Sequence, residues 1–344
     1  MGSYSRLNQE DTTVSTDKVV TNAWSGDTDI LTTFFTSSTQ AVFTNSTSQG
    51  NFFLEIYKDD VNLTSSAPVQ ATVSYGHKAG SGSLNFTNTA GALGNNAVKC
   101  IYNQYRQLVF GDENSNFTFN GHEPSDIWVL NISRGRYKHS LKAGSLNLTL
   151  ADGASVIHLT DDSVTLTGSS TITNLGRQFN LVSGSDGVML GTSLNQTTLG
   201  SGSYGFVYPE AGVIILNAEA LRNRTPGYWL EGTSGTTNQQ RAVKLFTALE
   251  NASGQIQLDS EEKISSQYMF VRVKNSEYNY SSNPSYIDGQ GNLNNTTMAD
   301  SPTTYITTVG LYNDDNNLLA VAKLSQPLKK DFTTEALVRI KLDY

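Results

Sequence analysis

The sequence predicts a mainly β fold with a few short helices, built as several sandwich- or barrel-like units and of mixed α+β character in its central part. Three observations carry that reading. Charged residues make up 16% of the 344, against about 25% in an ordinary globular chain. Ser, Thr, Asn and Gly fill the gap, Gly alone with 29 residues; Gly, Asn and Ser favour turns, while Thr, Tyr, Phe and Val suit strands. Short stretches of alternating apolar and polar residues recur between such turns, and two segments have a helical period. With 37% hydrophobic and 10% aromatic residues the chain can bury real cores. At ~150 residues per domain its length accommodates two or three domains.

Residues 1–30 are polar and aperiodic, with Trp24 the single bulky anchor. They read as an arm ordered against a neighbouring subunit, or as a frayed terminus. A β-rich domain follows over 31–150. Its strand candidates are Gln40–Phe43, Asn51–Tyr57, Val69–Tyr75, Asn116–Phe119, Asp126–Ile132 and Ser145–Leu150, separated by turns rich in Asn, Asp and Ser. Ala97–Phe110 is the clearest helix. Val98, Ile101, Tyr102, Tyr105, Leu108 and Val109 recur at three- and four-residue steps, Asn95 or Asn96 can cap the start, and Gly111 stops it. Its tyrosines fit a helix laid on a sheet, with phenol hydroxyls at the rim, better than a ligand box.

Residues 151–203 are rich in Thr, Ser and Gly, and VIHLTDDSVTLTG and TITNLGRQFNLVSG read as strands of a second small β unit. A C-terminal domain spans 204–344. Tyr208–Leu216 ends in an apolar strand expected to be buried on both faces, and Asn217–Asn223 fits one helical turn. Arg241–Glu250 reads as a helix, Gln267–Lys274 as a strand. Thr303–Leu311 and Leu318–Leu324 form a hairpin across the turn YNDDNN, and Ala336–Tyr344 alternates to the last residue. A chain finishing inside a strand points to a terminus tied into a sheet or an assembly.

The sequence carries few residues in patterns that do chemistry. A net charge of −8 argues against nucleic acid as the main partner, which calls for a basic face. One cysteine, Cys100, excludes an internal disulfide framework and a multi-cysteine metal site, and reads as a small apolar residue on a helix face. No run is long enough for a membrane span, and the N-terminus has no apolar signal core. The Gly-rich stretch Gly76–Asn96 lacks the P-loop spacing. No Gly-x-Ser-x-Gly elbow, His-Glu-x-x-His pair or Rossmann fingerprint is present. The scattered Asp152, Asp161, Asp162 and Asp186 do not match a calcium loop, and His77, His122, His139 and His158 have no zinc spacing. The expectation is therefore a structural part, not an enzyme, with no cofactor and no metal.

The one basic cluster, Ser133–Lys142, carries Arg134, Arg136, Lys138, His139 and Lys142, and reads as a solvated face or an inter-subunit patch. The hairpin Ile306–Ala322, ITTVGLYNDDNNLLAVA, places Gly310 where another backbone or ring can approach closely. It resembles a hairpin of phage tail-fibre, tail-collar and baseplate-type proteins. Ile101–Gly121, Trp128–Leu148, Val271–Tyr286 and the closing KDFTTEALVRIKLDY are similar to virion structural proteins of large contractile-tailed phages, notably those of cyanobacteria. The likeness covers most of residues 70–344. It implies a structural subunit of a contractile phage tail, in the baseplate or fibre-attachment region, made in the host cytoplasm and found in the virion tail. Implied partners are other virion proteins (baseplate, tube, sheath or fibre subunits) in a homo- or hetero-oligomer. It carries over no catalytic residue. Two other roles fit the same residues: a receptor- or carbohydrate-binding tail module using Tyr228 and Trp229, and a neck or head-decoration protein. The interface candidates are Arg134, Arg136, Lys138, Tyr278, Tyr280, Tyr286, Lys341 and Tyr344.

Overall fold

The computed structural model of the protein describes residues 4–36, 53–80, 97–152, 155–165, 170–191, 203–222 and 238–343. The strand expected at Gln40–Phe43, most of the Gly76–Asn96 loop, Tyr228, Trp229 and Tyr344 lie outside the described residues. The fold is mainly β, with few and short helices. The chain divides into two compact units, residues 19–262 and residues 1–18 with 263–344.

Strand β1 (Thr12–Asn22) belongs to the segment expected to be an irregular arm. Seven of its eleven residues are Thr or Val, and β-branched side chains favour extended backbone even where the surface is polar. Alternation was absent there because neither face of β1 is buried. Trp24, just beyond it, is buried in the larger unit and its indole Nε1 donates to the Ile256 carbonyl at 3.1 Å.

The larger unit continues with β2 (Ile30–Leu31), β3 (Phe53–Tyr57), β4 (Val69–His77), helix α1 (Ala97–Phe110), β5 (Asp126–Ile132), β6 (Ser140–Leu141), β7 (Asn147–Asp152), β8 (Ser155–Asp161), β9 (Thr171–Thr173), β10 (Gly176–Ser185) and β11 (Val188–Met189). After these come β12 (Gly205–Tyr208), β13 (Val213–Asn217), α2 (Ala218–Arg222), α3 (Asn238–Glu250) and β14 (Gln255–Gln257). One twelve-stranded sheet runs in the order β2-β14-β7-β8-β10-β12-β13-β5-β4-β3, with β9 and β11 paired to β10. Every one of these pairings is antiparallel. Strands from residues 31–150 and 151–203 and from the first part of 204–344, read from the sequence as separate units, thus share a single sheet. Alternation marks which residues are strands, but the choice of partner is made by packing between segments far apart in sequence.

The middle of this sheet is buried on both faces. In β5, Trp128, Leu130 and Ile132 enter one core, Ile127 and Val129 the other; in β13, Ile214 and Leu216 share the first, Val213 and Ile215 the second. Helix α3 covers the first core with Leu245, Phe246 and Leu249. Helix α1 covers the second with Ile101, Tyr102, Tyr105 and Val109. Each such side chain contributes about 1.5–3 kcal/mol on burial, which is why a moderately amphipathic helix stays on the sheet. Gly76 lets α1 approach, since a Cβ there would lie 2.9 Å from the Tyr102 backbone nitrogen. Gly111, at φ +71, ends α1 with its N–H on the Gln107 carbonyl. Cys100 is on a face of α1, the exposed one.

Asn116–Phe119 is not a strand. Phe117 and Phe119 do point inward, as their spacing implied, but they plug the second core from a loop that turns back at Asn120 and Gly121. Asn217 caps α2, its Oδ1 accepting from the Ala220 N–H at 3.1 Å. At the last residue of α2, Arg222 meets the buried Asp126 of β5 through two bonds of 2.5 and 2.6 Å, and Tyr75 donates to the same carboxylate at 2.8 Å.

Buried phenols link this unit to alkaline pH. Burial, then the hydrogen bond its hydroxyl makes to Glu55, pushes Tyr57 up to about 12. Burial also raises Tyr102, Tyr105, Tyr137 and Tyr208. In the unfolded chain these phenols titrate near their ordinary value of about 10. The stabilisation they give is therefore full below about pH 10 and is lost as pH rises through 10 toward 12. Alkaline titration is expected to unfold the unit in a step that coincides with a rise in phenolate absorbance. A full rise completed while the far-ultraviolet dichroism is still native would contradict this.

The smaller unit holds β15 (Asp259–Val273), which begins in the larger one, a short helix α4 (Thr297–Asp300), β16 (Thr304–Tyr312), β17 (Leu318–Lys330) and β18 (Ala336–Asp343). Strands β1, β15 and β18 form one sheet in that order, and β16 and β17 a separate two-stranded ribbon. The β15–β18 register runs from Val273 opposite Ala336 to Ser266 opposite Asp343. In the β16–β17 turn Asn313 bonds back to Asn317 and Asn316 takes φ +61, a conformation that Asn tolerates.

Candidate assembly surface

The expected interface residues fall in both units. In the larger one, Arg134 is exposed yet already occupied. Its Nη1 donates to the Tyr137 carbonyl at 2.6 Å, and its guanidinium lies 4.7 Å from the centre of the Tyr137 ring. The basic segment is stitched to the start of β15: the Lys138 N–H donates to Ser260 Oγ at 2.8 Å, and Lys142 pairs with Asp259 at 3.2 Å. Arg136 is half-buried and the Lys138 side chain is exposed. The cluster acts first as a brace, leaving Lys138 as its most available charge.

In the smaller unit, Tyr280 is exposed and meets Tyr286 edge-on with ring centres 5.9 Å apart. Tyr278 has φ +53, and its carbonyl accepts from Thr304 Oγ1 at 2.7 Å, which fixes the loop beside β16. Lys341 lies on the exposed face of β18 over the Tyr268 ring and pairs with Asp343 at 3.0 Å. The hydrogen bond from Ser266, and then the one from Lys341, hold the Asp343 carboxyl below its ordinary value.

What sets this unit apart is how little it buries. Among its described hydrophobic residues only Val273, Ala336, Val338 and Ile340 are buried. Tyr305, Tyr312, Leu318, Leu319, Val321 and Leu337 are all exposed, Leu319 by 68% and Val321 by 58%. The ribbon is apolar on both faces. Val309 opposite Ala322 and Leu311 opposite Ala320 lie on one, Gly310 opposite Val321 and Tyr312 opposite Leu318 on the other. The Tyr312 ring lies against Gly310, where a Cβ would come within 2.9 Å of Cε2. Sequence reading missed Leu318, Leu319, Val321 and Tyr312 as surface residues. The signal was there, in that LLAVA fills consecutive positions of a strand with apolar residues while a lone ribbon can cover one face only.

A groove of about 670 Å³ opens within the same unit. Val271 and Val273 from the sheet and Ile306, Val309 and Leu311 from the ribbon line it, while Arg6 and Asp314 stand on its rim. Neither of these two charges forms an ion pair among the described residues. Tyr4 packs edge-on against Tyr312 at 5.1 Å. At the end of β17, Lys330 is fully buried and its ammonium donates to three oxygens: the Asn275 and Asp331 carbonyls, each at 2.8 Å, and Asn279 Oδ1 at 2.9 Å.

A second hollow, of about 550 Å³, lies in the larger unit among Phe110, Asn116, Thr173, Asn174, Gln178 and Phe206. Uncharged amides and aromatic edges suit a neutral hydrogen-bonding ligand. No group of three His, Cys, Asp or Glu poised for a metal occurs among the described residues, and no helix there is long and apolar enough to cross a membrane. Compared with protein-family models, curated proteins and solved structures, the chain has no match.

Proposed function

We propose that the chain is a structural subunit of a contractile phage tail, belonging to the baseplate or fibre-attachment region and working through protein–protein assembly. The observation that carries this reading is the smaller unit: its ribbon exposes apolar side chains on both faces and its core holds four hydrophobic residues. A free-standing domain of that size buries far more, and an exposed patch of this kind marks a surface meant to be covered. The tail assignment adds the resemblance of Ile306–Ala322 to tail-fibre and baseplate hairpins, and that hairpin is the ribbon itself.

Electron microscopy of purified particles, with an antibody against the larger unit, tests the assignment. Label at the distal end of the tail is expected. Label on the neck or head would replace the reading with a neck or decoration role, and particles without the protein would overturn it.

A further inference from the structure

We infer that the partner covering the smaller unit is a second copy of this chain, docked ribbon to groove. The inference rests on the reading of this unit as an assembly module and names what it assembles with.

Three features of the unit point to self-association. First, it carries both halves of a contact: an apolar groove walled by Val271, Val273, Ile306 and Val309, and an apolar projection formed by Leu318, Leu319 and Val321. Residues of both ribbon faces line the unit's own groove, but Leu318, Leu319 and Val321 are not among them and remain exposed to enter a neighbour's. Second, the charge is right for a copy of itself. Residues 1–18 and 263–344 hold ten Lys and Arg against eleven Asp and Glu, whereas residues 19–262 hold thirteen against twenty. Most of the net charge of −8 therefore sits on the larger unit. The smaller one is close to neutral, and two near-neutral surfaces meet without the repulsion that keeps like-charged proteins apart. A strongly charged partner would find little to pair with. Third, the groove rim holds one cation and one carboxylate, Arg6 and Asp314, neither of them ion-paired within the chain among the described residues. In a symmetric assembly residue i meets j and j meets i, so such a pair is satisfied twice over across a single contact. Edge pairing adds to this, because among the described residues each strand of the two-stranded ribbon has one side not paired to a further strand.

Light scattering on the full chain after size-exclusion chromatography is the test. The wild-type protein is expected at twice its 37.3 kDa monomer mass or a higher multiple. Leu319→Asp changes an exposed side chain, so it is expected to run as a monomer with unchanged circular dichroism. Reversing one rim charge, by Arg6→Asp or Asp314→Arg, is expected to weaken association about tenfold. The double reversal is expected to restore it. A wild-type monomer at about 100 µM, far above the Kd of a stable complex, would overturn the inference, and so would an oligomer that Leu319→Asp leaves intact. Failure of the double reversal to restore association would overturn the reciprocal Arg6–Asp314 contact. The outcome is independent of particle labelling: a monomer found in tails removes this inference and leaves the tail assignment standing, and an oligomer missing from particles does the reverse.

Discussion

Replacing Lys330 by Met is expected to unfold the smaller unit while the larger one stays folded. Lys330 is completely buried, and its three ammonium hydrogens go to the carbonyls of Asn275 and Asp331 and to Asn279 Oδ1. Those acceptors belong to the loop after β15 and the corner between β17 and β18, so one side chain ties the end of β17 to that loop. Hydrogen bonds to a charged donor contribute about 1.5–3 kcal/mol each, and they are not additive. Part of that gain offsets the cost of burying the ammonium. A net loss of about 3 kcal/mol remains, because methionine refunds the desolvation but leaves three oxygens without a donor. Four buried hydrophobic side chains cannot absorb it. Hydrogen exchange should show protection lost over β15, β16, β17 and β18 beyond residue 263 while β4, β5 and β13 keep theirs. Unchanged protection in β18 would show that the cage is dispensable.

Much of this fold could be read from local pattern. Helix α1 and strand β5 have the boundaries their periodicity predicts, because each presents a full stripe or face of large apolar residues to a core. The burial of β13 on both faces was also legible, since Val213, Ile214, Ile215 and Leu216 leave no polar position for solvent. Reading failed where local pattern and tertiary role part company. β1 shows no alternation because it buries nothing, and Phe117 and Phe119 alternate without belonging to a strand. That the segments 31–150, 151–203 and 204–258 merge into one sheet depends on pairings such as β13 with β5, which no local signal encodes. The assembly surface was half legible. Tyrosines in the 278–286 loop stood out by type, whereas Leu319 and Val321 sat in a strand whose pattern does not tell an exposed apolar residue from a buried one.

Substituting Asp126 by Ala should cost the larger unit about 3 kcal/mol, the lower end of what breaking a buried ion pair costs. The carboxylate is 1% exposed and accepts three bonds, two from the Arg222 guanidinium and one from the Tyr75 hydroxyl. Removing it strands a guanidinium beside the core and leaves the buried Tyr75 without this acceptor. The lower end applies because the Arg222 side chain keeps 23% of its surface in solvent and can turn toward water. Cause can be separated from mere crowding by removing both partners. If the cost is an uncompensated charge, Asp126→Ala combined with Arg222→Met should be less destabilised than Asp126→Ala alone, even though it carries one more substitution. Denaturant midpoints for the two singles and the double decide it. A double mutant weaker than either single, by the sum of both, would mean that the two residues stabilise independently and that the fork between β5 and α2 is packing rather than electrostatics. The expected result also explains why an α2 of five residues persists at all. A helix that short has no stability of its own; its cap on Asn217 holds one end, and the bond from Arg222 to the middle of the sheet holds the other.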